Sequence, residues 1–123
     1  MTHMAEMDTH VTLADQLQDT HGPVILINKF QMDPADVEQF LAAWADDAVF
    51  FKRQPGFIST QLHRGIAGSG VFVNYAVWES PDHFRRASGQ PEFRANLAHY
   101  PASVVASPHL FRKVAVAGIC VAA

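Results

Sequence analysis

Two helix starts built on proline, Asp33-Pro34 and Ser80-Pro81-Asp82, each follow a run of strand-forming residues, and this alternation constrains the fold more than any other feature. An Asp or Ser N-cap offers its side-chain oxygen to the first free N–H groups of a helix, and proline in the first turn sacrifices no hydrogen bond. The run before the first start, residues 24–30, is rich in β-branched residues, too short for a helix and bounded by Gly22-Pro23, so it reads as a strand. After Asp33, apolar residues fall at Val37, Phe40, Leu41, Trp44, Ala48 and Phe51, one face of a helix that Gln54-Pro55-Gly56 stops. Residues 57–64 alternate apolar and polar side chains and predict a second strand; 65–70 predict a hairpin loop and 71–79 a third strand. The second helical region is divided by Gly89-Gln90-Pro91 into 82–88 and 92–100, and a loop with Pro101 and Pro108 leads to a last strand over 110–121. The order βαββαβ is that of an α+β, ferredoxin-like domain.

The chain's 123 residues suffice for one such domain over 24–123, preceded by a flexible arm over 1–23 with a short helical turn near 11–18. A net charge of −3 with acids and bases interspersed leaves no basic stripe for phosphates, which excludes nucleic acid as a partner. The first twenty residues carry four acids and no apolar core, unlike a signal peptide, and no run approaches a membrane span, so a cytoplasmic protein without membrane contact is expected. Cys120, beside Ile119 and Val121, reads as a small buried hydrophobe. Because a four-stranded sheet of this order packs its helices on one face, the apolar opposite face predicts a homodimer.

Chemistry is concentrated in the strands. Side chains alternate between faces, so Phe72, Asn74, Ala76 and Trp78 share one face. Asparagine is disfavoured in mid-strand, and a buried amide without partners costs about 1–3 kcal/mol. Asn28 repeats the anomaly on a face with Leu26 and Phe30. Two such asparagines fit an apolar cavity with a few fixed polar groups, or equally two amides bonded to neighbouring backbone or set at a solvated edge. Trp78 is either core or a cavity wall, and lies about 13 Å from Asn74 along the strand. His63, placed by alternation on the face of Phe57, Ser59 and Gln61, reads as a general base or a rim residue. Arg94 reads as an anion anchor or a solvated arginine, and no hydrolase, metalloprotease or phosphate-loop motif is present.

The segments Gln54-Pro55-Gly56-Phe57, Gln61-Leu62-His63 and Val73-Asn74-Tyr75-Ala76-Val77-Trp78-Glu79-Ser80 resemble, in that order and separation, the antibiotic biosynthesis monooxygenase family. The resemblance runs from about residue 24 to 112 and is closest to the branch that oxidises anthrone-type aromatic polyketides to quinones. It implies a dimeric α+β barrel and an oxygenase that uses O2 without flavin, haem or metal. By position it implies roles for Asn28, Asn74, Trp78 and His63 in catalysis and for Arg94 at the substrate, and Trp44, Phe72 and Phe84 are expected as further substrate contacts. Phe84 departs from members that carry a tyrosine there, which removes one candidate phenol. Two rivals remain: a haem-degrading oxygenase of the same superfamily, whose helical Trp and His ligand would fall near Ala87 and Leu97 and are missing here, and a non-catalytic barrel for an apolar ligand.

Overall fold

The computed structural model describes residues 3–122. The order of elements is β1 (His3–Met4), α1 (Leu13–Gln16), β2 (Val24–Gln31), α2 (Val37–Lys52), β3 (Phe57–Arg64), β4 (Val71–Trp78), α3 (Pro81–Ser88), α4 (Pro91–Asn96) and β5 (Val105–Phe111). Asp33 caps a single 3₁₀ turn at Pro34–Asp36 by accepting the Ala35 N–H, and this turn leads directly into α2. Ser80 caps α3 in the same way, through the His83 N–H. A second 3₁₀ turn, Leu97–His99, extends α4.

The strands form one sheet in the order β1-β5-β2-β4-β3, with β2, β3, β4 and β5 antiparallel and β1 added in parallel at the edge. Stripped of β1, this is the expected ferredoxin-like arrangement. Gly56 lies at φ 85° between α2 and β3, where a Cβ would collide with the His83 ring at 2.2 Å, so only glycine serves there.

The last strand sits earlier than expected. It runs over Val105–Phe111 rather than 110–121, and Pro108 lies inside it. Proline is tolerated because β1 pairs β5 only at Val105 and Ala106, which leaves the outer edge beyond them free of ladder bonds. The strand ends at Phe111 because its partner Ile25 is next to the start of β2, where Pro23 contributes no N–H. Beyond it, residues 112–122 are exposed, with a bridge between Val116 and Cys120 around Gly118. Cys120 is therefore a solvent-facing thiol, not a core residue.

Residues 3–22, expected as a flexible arm, are docked along β5. The Gln16 side-chain amide donates to the Leu110 carbonyl and accepts its N–H, both at 2.9 Å, in the manner of an added strand residue. Asp19 pairs with Arg112 at 3.1 Å, and Leu13 and Leu17 pack on the core. The helix-free face of the sheet carries Ile25, Ile27, Val73 and Val77 half-buried, with Tyr75 and Phe111 exposed.

Candidate active site

The core beneath the helices is two clusters rather than one. Phe30, Met32, Val37, Phe40, Phe72, Tyr100, Val104 and Ala106 form the first, with Trp44 and Leu62 against it. Val24, Leu26, Ala76, Trp78, Phe84, Ala87 and Leu110 form the second, with Phe51 and Phe57 against it. The register explains the division. Asn28 lies opposite Asn74 on one side and Pro108 on the other, and Asn74 lies opposite Leu62. Along each of the three strands β2, β4 and β5, the residue in this row separates a member of one cluster from a member of the other. Two adjacent amides thus cross the centre of the sheet where apolar side chains would otherwise fuse the core.

These amides are not absorbed by ordinary structural bonds. Asn28 Oδ1 is buried and has no hydrogen-bond partner among the described residues. Asn74 Oδ1 accepts the Thr60 hydroxyl at 2.5 Å, while no protein acceptor among the described residues takes its Nδ2. Trp78 is 1% exposed, and its Nε1–H is likewise unpartnered. Its ring is boxed by Phe51 at 5.5 Å and Phe57 at 5.4 Å, both edge-on, and by Phe84 at 5.6 Å. Phe93 extends the box beyond Phe51 at 5.0 Å. Orphaned buried donors and acceptors are rare because each forfeits about 1–3 kcal/mol, and they mark places where a polar occupant belongs.

The structure sorts the residues expected from sequence. Asn28, Asn74 and Trp78 share the helix-covered face; Phe84 packs on Trp78; Phe72 belongs to the first cluster, 5.0 Å from Phe40; and Trp44 is half-buried against that cluster. His63 does not join them. It pairs with Val73, so it projects to the opposite face from Asn74, and its Nδ1 lies 3.2 Å from the Val73 carbonyl. Alternation from Phe57 misleads because a β-bulge between Phe57 and Ser59 turns Phe57 onto the Trp78 face and leaves Ser59, Gln61 and His63 on the other. Arg94 is exposed on α4 and forms no hydrogen bond or ion pair with the asparagine row among the described residues.

Trp78 is enclosed, whereas Asn28 and Asn74 are half-buried. One cavity of about 190 Å³ lies between the docked N-terminal segment and β5, lined by Gln16, Leu110 and Arg112 among others. Another of about 320 Å³ lies between α2 and α4, at Asp47, Phe50 and Asn96.

Sequence reasoning missed two features. Thr60 enters the site only through the bulge, which no local pattern announces. Asp47 is buried on α2 and accepts from the Tyr100 hydroxyl and from Asn96 Nδ2 at 2.7 Å, while that same Nδ2 donates to the Ala43 carbonyl at 2.9 Å. Burial pushes the Asp47 carboxyl above its ordinary range against the pull of these bonds, and burial beside Asp47 raises the Tyr100 phenol strongly. The cluster ties α4 to α2. A Ser80–His83–Glu79 grouping mimics a hydrolytic triad, with Ser80 Oγ 2.7 Å from His83 Nδ1 and Glu79 3.7 Å from Nε2. Ser80 is buried, however, and its oxygen is the cap of α3, so it is no nucleophile.

The fold is a small α+β sheet covered on one face by helices, and that face carries a buried amide oxygen and a boxed indole N–H without partners among the described residues. The chain belongs to the antibiotic biosynthesis monooxygenase family, whose pattern matches residues 23–98. It is similar to deoxynogalonate monooxygenase of Streptomyces nogalater, 41% identical over 70 residues, a match spanning 57% of this chain and 58% of that one. It is also similar to the crystal structure of SnoaB, a cofactor-independent oxygenase from Streptomyces nogalater, with a TM-score of 0.67, 34% identity, and coverage of 78% of this chain and 97% of that one. A protein of Shewanella loihica PV-4 superposes with a TM-score of 0.64 at 31% identity, covering 77% of this chain and 97% of that one.

Proposed function

We propose that the protein oxidises an anthrone-type aromatic polyketide to a quinone with O2, the substrate itself supplying the electrons. The observation that carries this reading is the row Asn28–Asn74, which splits the core and leaves a buried acceptor, with the Trp78 N–H a second orphan. The likeness to a cofactor-independent oxygenase supports it.

The substrate's activated CH2, acidified by the aromatic ring system, loses a proton to solvent, which later returns one to the peroxide, and the enolate oxygen so formed is stabilised by the Asn74 N–H groups. Donors aimed at developing negative charge in a dry site are worth far more than in water. Asn28 presents Oδ1 to a substrate hydroxyl. One electron passes from the carbanion to triplet O2, and the resulting radical pair combines to a carbon–oxygen bond. Protonation gives a hydroperoxide beside the Trp78 N–H. Loss of water from it leaves the carbonyl of the quinone, so that CH2 plus O2 becomes C=O plus H2O. His63, on the other face, takes no part.

The test is O2 uptake by chelator-treated, flavin-free protein with dithranol. One O2 consumed per quinone formed, with ¹⁸O from ¹⁸O2 in the new carbonyl, is the expected result. Tight binding of dithranol with no uptake overturns the reading in favour of a passive carrier.

The working form is a homodimer in which the helix-free face, with Ile25, Ile27, Val73, Tyr75 and Val77, covers the same face of a second copy. Sedimentation of Val73→Lys/Tyr75→Lys should then give a monomer, and an unchanged sedimentation coefficient removes that interface.

A further inference from the structure

We propose that Thr60 is a positioning residue that fixes which end of the Asn74 amide faces the substrate. The inference rests on the reading of Asn74 as an anion-stabilising donor and adds a residue to which that reading assigns nothing.

A primary amide carries an acceptor and a donor of nearly equal size about 120° apart at one carbon, and rotation by half a turn exchanges them at little steric cost. An asparagine that must donate to an enolate oxygen is therefore two-faced. Turned the wrong way, it sets a carbonyl lone pair against a developing anion. Something must break this degeneracy, and on this side of Asn74 the structure offers one group. Thr60 Oγ1–H donates to Asn74 Oδ1 at 2.5 Å, a bond that engages the carbonyl end toward β3. With the carbonyl end engaged, the NH2 end, which no acceptor among the described residues takes, is the one left to the substrate.

Thr60 reaches this place through the bulge at the start of β3. Past the bulge, Thr60 pairs with Ala76 and Leu62 with Asn74, so Thr60 sits diagonally from Asn74 on the shared face. Ala76, buried with only a methyl group, leaves room for the hydroxyl to reach across. A strand without the bulge would carry Phe57 to the opposite face and lose the edge-on contact that closes one side of the Trp78 box. One irregularity thus sets both the orientation of the amide and the wall around the indole.

The experiment compares Thr60→Val, Thr60→Ser and Asn74→Ala with the parent on dithranol. Valine keeps the β-branched shape and deletes only the hydroxyl. It is expected to lower kcat roughly tenfold with KM little changed, since the lost donor acts on the developing anion. It should also move the alkaline-rising limb of the kcat profile up by about one pH unit, because the bound substrate ionises less readily. Serine restores the hydroxyl and should restore both values, which a merely structural loss would not predict. In the Asn74→Ala background, Thr60→Val should cost nothing further, since the amide it orients is gone.

A Thr60→Val enzyme with parental kcat and pH profile overturns the proposal, and so does an equal further loss on top of Asn74→Ala. If Asn74→Ala alone leaves turnover intact, the functional reading itself has failed, and that result is read independently of Thr60. Should Thr60→Val not fold, Thr60→Ala judged against Thr60→Ser carries the same comparison, with thermal unfolding measured on each.

Discussion

Asn28 on β2 and Asn74 on β4 are direct cross-strand partners at the centre of the sheet, and they are satisfied unequally: Asn74 Oδ1 holds the Thr60 hydroxyl, while Asn28 Oδ1 is buried with nothing to accept among the described residues. Under the proposed function, stability and activity are therefore set against each other at Asn28. Asn28→Leu would join the two core clusters across the seam and remove an orphaned acceptor, which raises stability by about 1 kcal/mol. Turnover of dithranol should fall at least tenfold by the loss of a group that fixes the substrate. Urea denaturation and O2 uptake on the same preparation check both. A variant that loses stability together with activity would show that the amide is structural.

Trp78 makes a parallel case with a different readout. Trp78→Phe keeps an aromatic ring among Phe51, Phe57 and Phe84 but deletes the unpartnered N–H together with one of the two fused rings. The smaller ring leaves a cavity, so stability should fall by about 1–3 kcal/mol, and the discriminating readout is the N–H itself. In the parent, the indole N–H proton resonance of Trp78 should move downfield when the quinone product binds. A resonance that product leaves in place would take the indole out of the site.

Much of the frame was legible because it rests on local chemistry. The two Pro-marked caps, the helix stripe from Val37 to Phe51 and the alternation in β4 are short-range signals, and the elements that these signals mark are present. The asparagines stood out because a polar amide among β-branched neighbours breaks the pattern. What stayed hidden depends on register between distant segments. The bulge at Phe57/Ser59 reverses the side on which His63 lies, and Pro108 is admissible in a strand only because β5 has a free edge there. The docking of Gln16 on Leu110 and the Asp47–Tyr100 bond join residues far apart in sequence, and neither has a local signature.

The position of His63 yields a direct test of the site's sidedness. It is exposed on the helix-free face, paired with Val73, whereas Asn74 belongs to the covered face. His63→Ala should leave kcat/KM on dithranol within about twofold, below the 10²-fold or greater loss typical of a removed general base. The comparison is made at matched oligomeric state, checked by sedimentation. A hundredfold drop would bring the open face into the chemistry and displace the assignment to the covered one.

Asp47 gives the protein a pH dependence whose sign follows from its surroundings. Its carboxyl is buried, which raises it above the ordinary 3.8, although Tyr100 and Asn96 donate to it. Below that ordinary value the folded and unfolded chains both hold the proton. As pH rises from there to the folded-state value, the native chain keeps a proton that the unfolded chain has released, so stability falls through that window and stays lower above it. The decline is about 1.4 kcal/mol for each unit by which the carboxyl is raised. Asp47→Asn removes the titration while keeping an oxygen for Tyr100 and Asn96, so its stability relative to the parent should grow between pH 4 and pH 7 in urea titrations. Tyr100→Phe acts in the opposite sense. It strips a donor from the ionised carboxylate and should destabilise by about 1–3 kcal/mol at pH 7, and by less at pH 4. A difference between Asp47→Asn and the parent that is flat across this range would mean that the carboxyl is not raised in the folded protein.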